Sequence, residues 1–392
     1  MEINVFLNHI KQDFIEGCNL YHPNQIGKTI TIYKEGETFP DLDEFQLAII
    51  GVEEERNSFR NEGCKDAPNA IRKSLYQLFN HWNNLKIIDL GNIKTGFEIE
   101  DTYFALNSVF MHLMKYRIVP IILGGSQDLT YPIYQVYENT GKLVNITSID
   151  SKFDIGQDNE PLNSNSYLSY IILHQPNFLF NYTNIGYQNY YVDNQSVDLM
   201  KELIFDVHRI GNIKNNIGIT EPLIRNADIV TIDVSAFCAA DAPGVKQNSP
   251  NGFSSEDGCK MTRYAGLNPK LTSIGFFEYN PAYDINNITA NTLSQMIWYF
   301  IEGFNLRIND FPNYNNIKEF KRYIVKMDDV DSDIVFLCHK VSGKWWMDLS
   351  FKSKNREKYE RHHYIPCSRE DYELTMENEL PDKWWQFYQK LM

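Results

Sequence analysis

The sequence predicts an α/β protein: a three-layer α-β-α sandwich on a mainly parallel sheet of ~8 strands, followed by a small C-terminal α+β extension. Three observations predict it. Short apolar runs recur along most of the chain, with helix-period segments between them. The runs are apolar throughout rather than alternating, as strands covered on both faces are. After Pro312 the pattern changes to a hairpin-like pair rich in aromatic residues.

Residues 1–44 are polar and irregular, with Pro23, Gly27 and Pro40, and read as an N-terminal arm holding one short helix. The α/β domain spans 45–312. Its first strand lies at 45–51 and ends in Gly51. Pro68 sits where a helix begins, and Ile71, Leu75 and Leu78 form its apolar stripe. A second strand covers 86–91. A helix follows at 101–116, with Leu106, Phe110, Leu113 and Met114 on one side. The third strand, 118–123, stops at Gly124-Gly125, and the fourth, 143–149, runs into Asp150. Further strands fall near Ile185, at 227–232 and at 273–277, before a helix at 289–304. Residues 313–392 form the extension. Two strands, 334–337 and 345–349, join across Ser342-Gly343, and a terminal helix after Pro381 carries Trp384-Trp385. Aromatics at this density either anchor a partner protein or pack the tail onto the main domain. His362-His363 reads as solvated surface.

Composition excludes several classes. A formal net charge of -14 disfavours nucleic acid, because phosphate binding needs a basic surface. No apolar run approaches the ~20 residues of a membrane span, and the start of the chain lacks a signal-peptide pattern. Six cysteines without CxxC spacing fit a cytoplasmic protein with free thiols.

Four segments end on the same side of such a sheet: Gly124-Gly125-Ser126-Gln127-Asp128, Asp150-Ser151-Lys152-Phe153-Asp154, Thr231-Ile232-Asp233-Val234-Ser235 and Glu278-Tyr279-Asn280-Pro281. The carboxyl edge of a parallel sheet is where α/β enzymes keep their chemistry. The ordered set resembles the ureohydrolases (arginase, agmatinase and especially formimidoylglutamase). That family's pattern is Gly-Gly-Asp-His-Ser, Asp-Ala-His-x-Asp, Ser-x-Asp-x-Asp and Glu-x-Asn-Pro. Asn61-x-Gly63 with Ala67-Pro68 and Ile71-Arg72, the loop Asp241-Ala242-Pro243-Gly244-Val245, and Arg263-Tyr264-Ala265-Gly266 are similar to the formimidoylglutamase branch. The resemblance covers roughly residues 45–305 and implies an arginase-like fold.

It also implies a dinuclear manganese centre held by two histidines and four aspartates. Here Gln127 and Lys152 stand at the histidine positions and Ser235 at the last aspartate position, while Asp150, Asp154 and Asp233 are kept. An amide oxygen is a poor substitute for imidazole, and a protonated amine has no lone pair to donate. The expected outcome is a lysine–carboxylate cluster in place of the metals, with Arg263 as a conceivable second cation, and a protein inactive as a hydrolase. If Lys152 neutralises buried carboxylates, its removal costs roughly 3–5 kcal/mol. No cofactor is then expected. The alternative is an active amidine hydrolase of the formiminoglutamate, arginine or agmatine type. In it Asp150, Asp154 and Asp233 hold one Mg2+ or Mn2+, and Glu278 orients a cationic substrate. Under the inactive reading Glu278 and Asn280 still bind a cationic small molecule, or the domain presents its C-terminal region to a protein. The resemblance further implies a homo-oligomer.

Overall fold

The computed structural model describes residues 3–157, 159–327, 333–350 and 356–391. Eight parallel strands make the body of the sheet: β3 (Leu47–Val52), β4 (Ile87–Ile93), β5 (Val119–Leu123), β6 (Val144–Ile149), β7 (Leu179–Tyr187), β8 (Asp206–Arg209), β9 (Ile229–Asp233) and β10 (Ser273–Phe277). The N-terminal segment adds two short strands to β4, the antiparallel β1 (Leu7–Asn8) and the parallel β2 (Thr31–Ile32). The order is β1-β4-β3-β5-β10-β9-β6-β7-β8, with β2 also on β4. Two segments of the N-terminal arm, Leu7–Asn8 and Thr31–Ile32, thus extend the sheet edge.

Alternate side chains of each strand feed opposite faces. Leu47, Ile49, Ile121, Leu123, Val230, Ile232, Ile274 and Phe276 pack against helices Ala67–Leu75, Ser255–Gly266 and Ile288–Asn305. Ala48, Ile50, Ile88, Leu90, Ile122 and Ile146 pack against helices Ile99–Lys115, Thr130–Gln135 and Tyr167–Leu173. This double cover is why the strands read as unbroken apolar runs. Past the end of β5, Gly125 leaves no room for a side chain, since a Cβ there would stand 1.8 Å from the Glu54 carbonyl oxygen.

The extension is a four-stranded antiparallel sheet, β11 (Phe320–Val325), β12 (Ile334–His339), β13 (Trp345–Asp348) and β14 (Tyr364–Cys367), with two helices after it. The expected hairpin is β12–β13. Trp346 and Trp384 are buried, whereas Trp385 is 47% exposed. Charged groups tie this sheet to the main domain. Arg361 pairs with the buried Asp228. Arg225 donates to the carbonyls of Trp345 and Cys367 at 3.0 and 3.1 Å and lies 4.4 Å over the Trp346 ring. His362 and His363 are buried, contrary to the surface reading, because the neighbouring Arg361 draws the segment onto Asp228. His362 stacks on Phe180 at 3.9 Å. No helix among the described residues is long and apolar enough to cross a membrane.

Candidate functional site

β5, β10, β9 and β6 are consecutive in the sheet. Their carboxyl ends therefore bring Gln127, Glu278, Asp233 and Asp150 to one place. The turn after β6 returns Asp154 to it through a left-handed backbone (φ 52°), a conformation few non-glycine residues adopt. Glu278 is also left-handed (φ 64°). Backbone conformations of this kind persist where the surroundings over-determine them, and they concentrate at functional sites.

Asp150, Asp154 and Asp233 are buried, and each offers one oxygen within 4.8 Å of the others. Asp150 accepts from the Lys152 backbone N–H at 2.9 Å and from Gln127 Nε2 at 3.3 Å. Asp233 accepts from the Ser235 N–H at 2.6 Å. Asp154 Oδ2 is buried without a partner. Burial raises all three, and repulsion adds to it at Asp150 and Asp154. Asp150 lies well above the carboxylate range, through burial and then the charges of Asp154 and Asp233. Burial lifts Asp154 to about 7. A hydrogen bond between these two raises Asp150 and lowers Asp154, so Asp150 keeps the proton. Burial raises Asp233, opposed by its Ser235 hydrogen bonds and the nearby Lys152 charge.

Glu278 accepts from the Gln127 backbone N–H and from Asn61 Nδ2, each at 2.9 Å. Burial, then the charge of Asp233, pushes it up to about 8. A cavity of about 100 Å³ opens onto Asp154, Asp233 and Glu278, with Lys152, Ser235 and Asn61 in its wall.

Several expectations need correction. Lys152 does not replace a metal among the aspartates. It is half-buried in the cavity wall and among the described residues forms no ion pair with the three, although its field lowers Asp154 and Asp233. The physical reason lies in the turn: the Lys152 backbone, not its amine, is what Asp150 holds. Arg263 is no helper, because it pairs with Glu302 at 2.7 Å on the helix Ser255–Gly266. Asn280 does not line the cavity. Its amide donates to Asn61 Oδ1 at 3.1 Å and to the Glu62 carbonyl at 2.8 Å, so it holds the loop that holds Glu278. Ser235 Oγ lies 3.0 Å from Ser151 Oγ. Asp128 turns away from the aspartates to Ser126 and Tyr103, which leaves Gln127 as the inward residue. Tyr167, whose hydroxyl accepts from Gln127 Nε2 at 3.1 Å, carried no motif signal, because it comes from a separate helix.

The donor set fits one hard cation. Three carboxylate oxygens converge, and two buried oxygens, Asp154 Oδ2 and Gln127 Oε1, have no hydrogen-bond partner. Mg2+ and Mn2+ favour such oxygen ligands. A second ion would need Gln127, Lys152 and Ser235, which supply no anionic ligand and no imidazole.

The chain belongs to the arginase family, whose profile matches residues 45–302. It is 24% identical over 321 residues to the formimidoylglutamase of Streptococcus pyogenes serotype M5, covering 74% of this chain and 98% of that one. To the formimidoylglutamase of Streptococcus gordonii it is 23% identical over 279 residues, covering 65% of this chain and 84% of that one. Among solved structures, Trypanosoma cruzi formiminoglutamase with Mn2+2 superposes with a TM-score of 0.63 at 19% identity, over 69% of this chain and 97% of that chain. Formimidoylglutamase from Bacillus subtilis does so with 0.60 at 17% identity, over 70% and 97%. These likenesses establish the arginase-like fold.

Proposed function

We propose that this chain is a formimidoylglutamase-like protein whose dinuclear centre is degenerate, and that it binds a cationic small molecule instead of hydrolysing it by the two-metal route. The observation that carries the reading is the orientation of Gln127. Its amide N–H donates to Asp150, so a hydrogen-bond donor stands where the resemblance calls for a ligand lone pair. Asp150, Asp154 and Asp233 would hold at most one divalent cation. A bound cation of this type lowers the pKa of water, which is the chemistry a hydrolase needs. With Ser235 in the place of a fourth aspartate and no imidazole, the second ion that would share that task has no anionic ligand of its own.

Glu278 is the residue for an amidinium or guanidinium group. It is held by Asn61 and Gln127, faces the cavity, and stays protonated until about pH 8 in the free pocket. A cation beside it favours its ionised form.

A second reading is favoured by the free Asp154 oxygen: an amidine hydrolase working with one Mg2+ or Mn2+ on the three aspartates. Ammonia release from formiminoglutamate, arginine and agmatine, with Mn2+ and with Mg2+, separates the two. The binding-protein reading expects no release above the Asp233→Ala background. Turnover that Asp233→Ala abolishes would establish the one-metal hydrolase.

A further inference from the structure

The small cavity at the aspartates has the exposed Phe59, Arg60, Gln247 and Asn248 at its mouth and borders two further spaces. Phe59, Lys152, Asp154, Asn165 and Tyr191 wall both it and a vestibule of about 290 Å³. Ile155, Gly156, Gln157, Glu160, Asp193 and Ser196 wall both the vestibule and a groove of about 1350 Å³. The three spaces are therefore neighbours through shared walls, small at the carboxylates and large between the two helices.

Their sizes point in different directions. The inner cavity has room for roughly three water molecules, enough for a small head group. The outer groove exceeds the ~300–1,000 Å³ of ordinary small-molecule pockets. It runs between the helices Tyr167–Leu173 and Asn194–Glu202. Its flanks include Leu173, 75% exposed, and Leu199, 38% exposed. A free amidine would leave these apolar surfaces wet. Glu160 and Asp193 add negative charge to the vestibule wall, on a chain of net charge -14, which favours a basic ligand. In the wall shared by the inner cavity and the vestibule, Lys152 has ammonium donors with no carboxylate partner among the described residues, suited to the carbonyl oxygens of a bound main chain.

We propose that the ligand is an arginine side chain presented by a peptide: the guanidinium enters the aspartate–Glu278 cavity while the flanking residues lie in the groove between the two helices. This rests on the reading that the cavity takes a cationic group, and it names the form in which the group arrives.

The test is calorimetry on the full chain at pH 8 and low salt. One probe is agmatine. The other is an N-acetylated, C-amidated peptide of about eight residues with a single central arginine flanked by leucines. The peptide is expected to bind at least ~10-fold tighter than agmatine, a difference of ~1.4 kcal/mol. Replacing its arginine by glutamine should abolish binding. The double change Leu173→Glu with Leu199→Glu, both on exposed positions, should bring peptide affinity down to that of agmatine and leave agmatine unchanged. Equal affinities in the unmodified chain would overturn the peptide proposal while the cation reading stands. Binding of neither probe would overturn both, and undiminished binding of the glutamine peptide would show that the groove alone is used.

Discussion

At the scale of single residues, the centre is governed by the burial of its carboxyls, with repulsion between them second. An aspartate whose folded pKa is raised contributes stability below its unfolded pKa, near 4, and that contribution is lost as pH rises through the folded value. For Asp154 the loss runs up to about pH 7. Asp154→Asn removes it. In chelator, the melting temperature of the variant should therefore gain on the parent between pH 5 and pH 8, by the equivalent of about 2 kcal/mol. Mn2+ should narrow the gap by stabilising the parent. A constant difference across that range would mean that burial does not raise Asp154 in the folded chain. Lys152 gives the complementary case. It is half-buried and pairs with none of the three aspartates, so Lys152→Ala should change stability by about 1 kcal/mol or less in denaturant titration. A loss of roughly 3–5 kcal/mol would instead place the amine in the cluster. The identities at this centre were legible in the sequence, because strand ends with fixed motifs name their residues. The direction of Lys152 was not. It lies in a turn where Asp150 accepts from the Lys152 backbone N–H, a contact no apolar pattern signals.

At the scale of elements, β5, β10, β9 and β6 were readable as strands because each is buried on both faces and hence continuously apolar. β8 was missed because Asp206-Val207-His208-Arg209 is short, polar and at the sheet edge. β11 and β14 were missed for related reasons: four of the six β11 residues are not buried, and β14 carries Pro366 at the edge of its sheet. The N-terminal strands β1 and β2 are two residues each, too short for any period to show. The extension's attachment rests on charges the sequence could not pair. Asp228 is fully buried, and Arg361 reaches it from the extension. Arg361→Ala leaves that carboxylate with Lys270, 3.6 Å away, as its remaining cation. The expected loss is about 2–4 kcal/mol, read by thermal or denaturant unfolding. An unchanged midpoint would show that the ion pair does not hold the two sheets together.

For the whole molecule, one arrangement accounts for the rest. An arginase-family sheet brings four strand ends together, and three of the side chains so placed are aspartates on a common point. Glu278 stands over the same cavity, fixed by a loop that Asn280 braces through Asn61. Under the proposed reading this scaffold still receives a cation, with Gln127, Lys152 and Ser235 at three of the six positions where the resemblance implies metal ligands. The most direct test is native mass spectrometry of the full chain after equilibration with excess Mn2+ and buffer exchange, read as ions bound per chain. The account predicts none or one, with the single ion lost in Asp233→Ala. Two ions retained per chain, both lost in that variant, would contradict it.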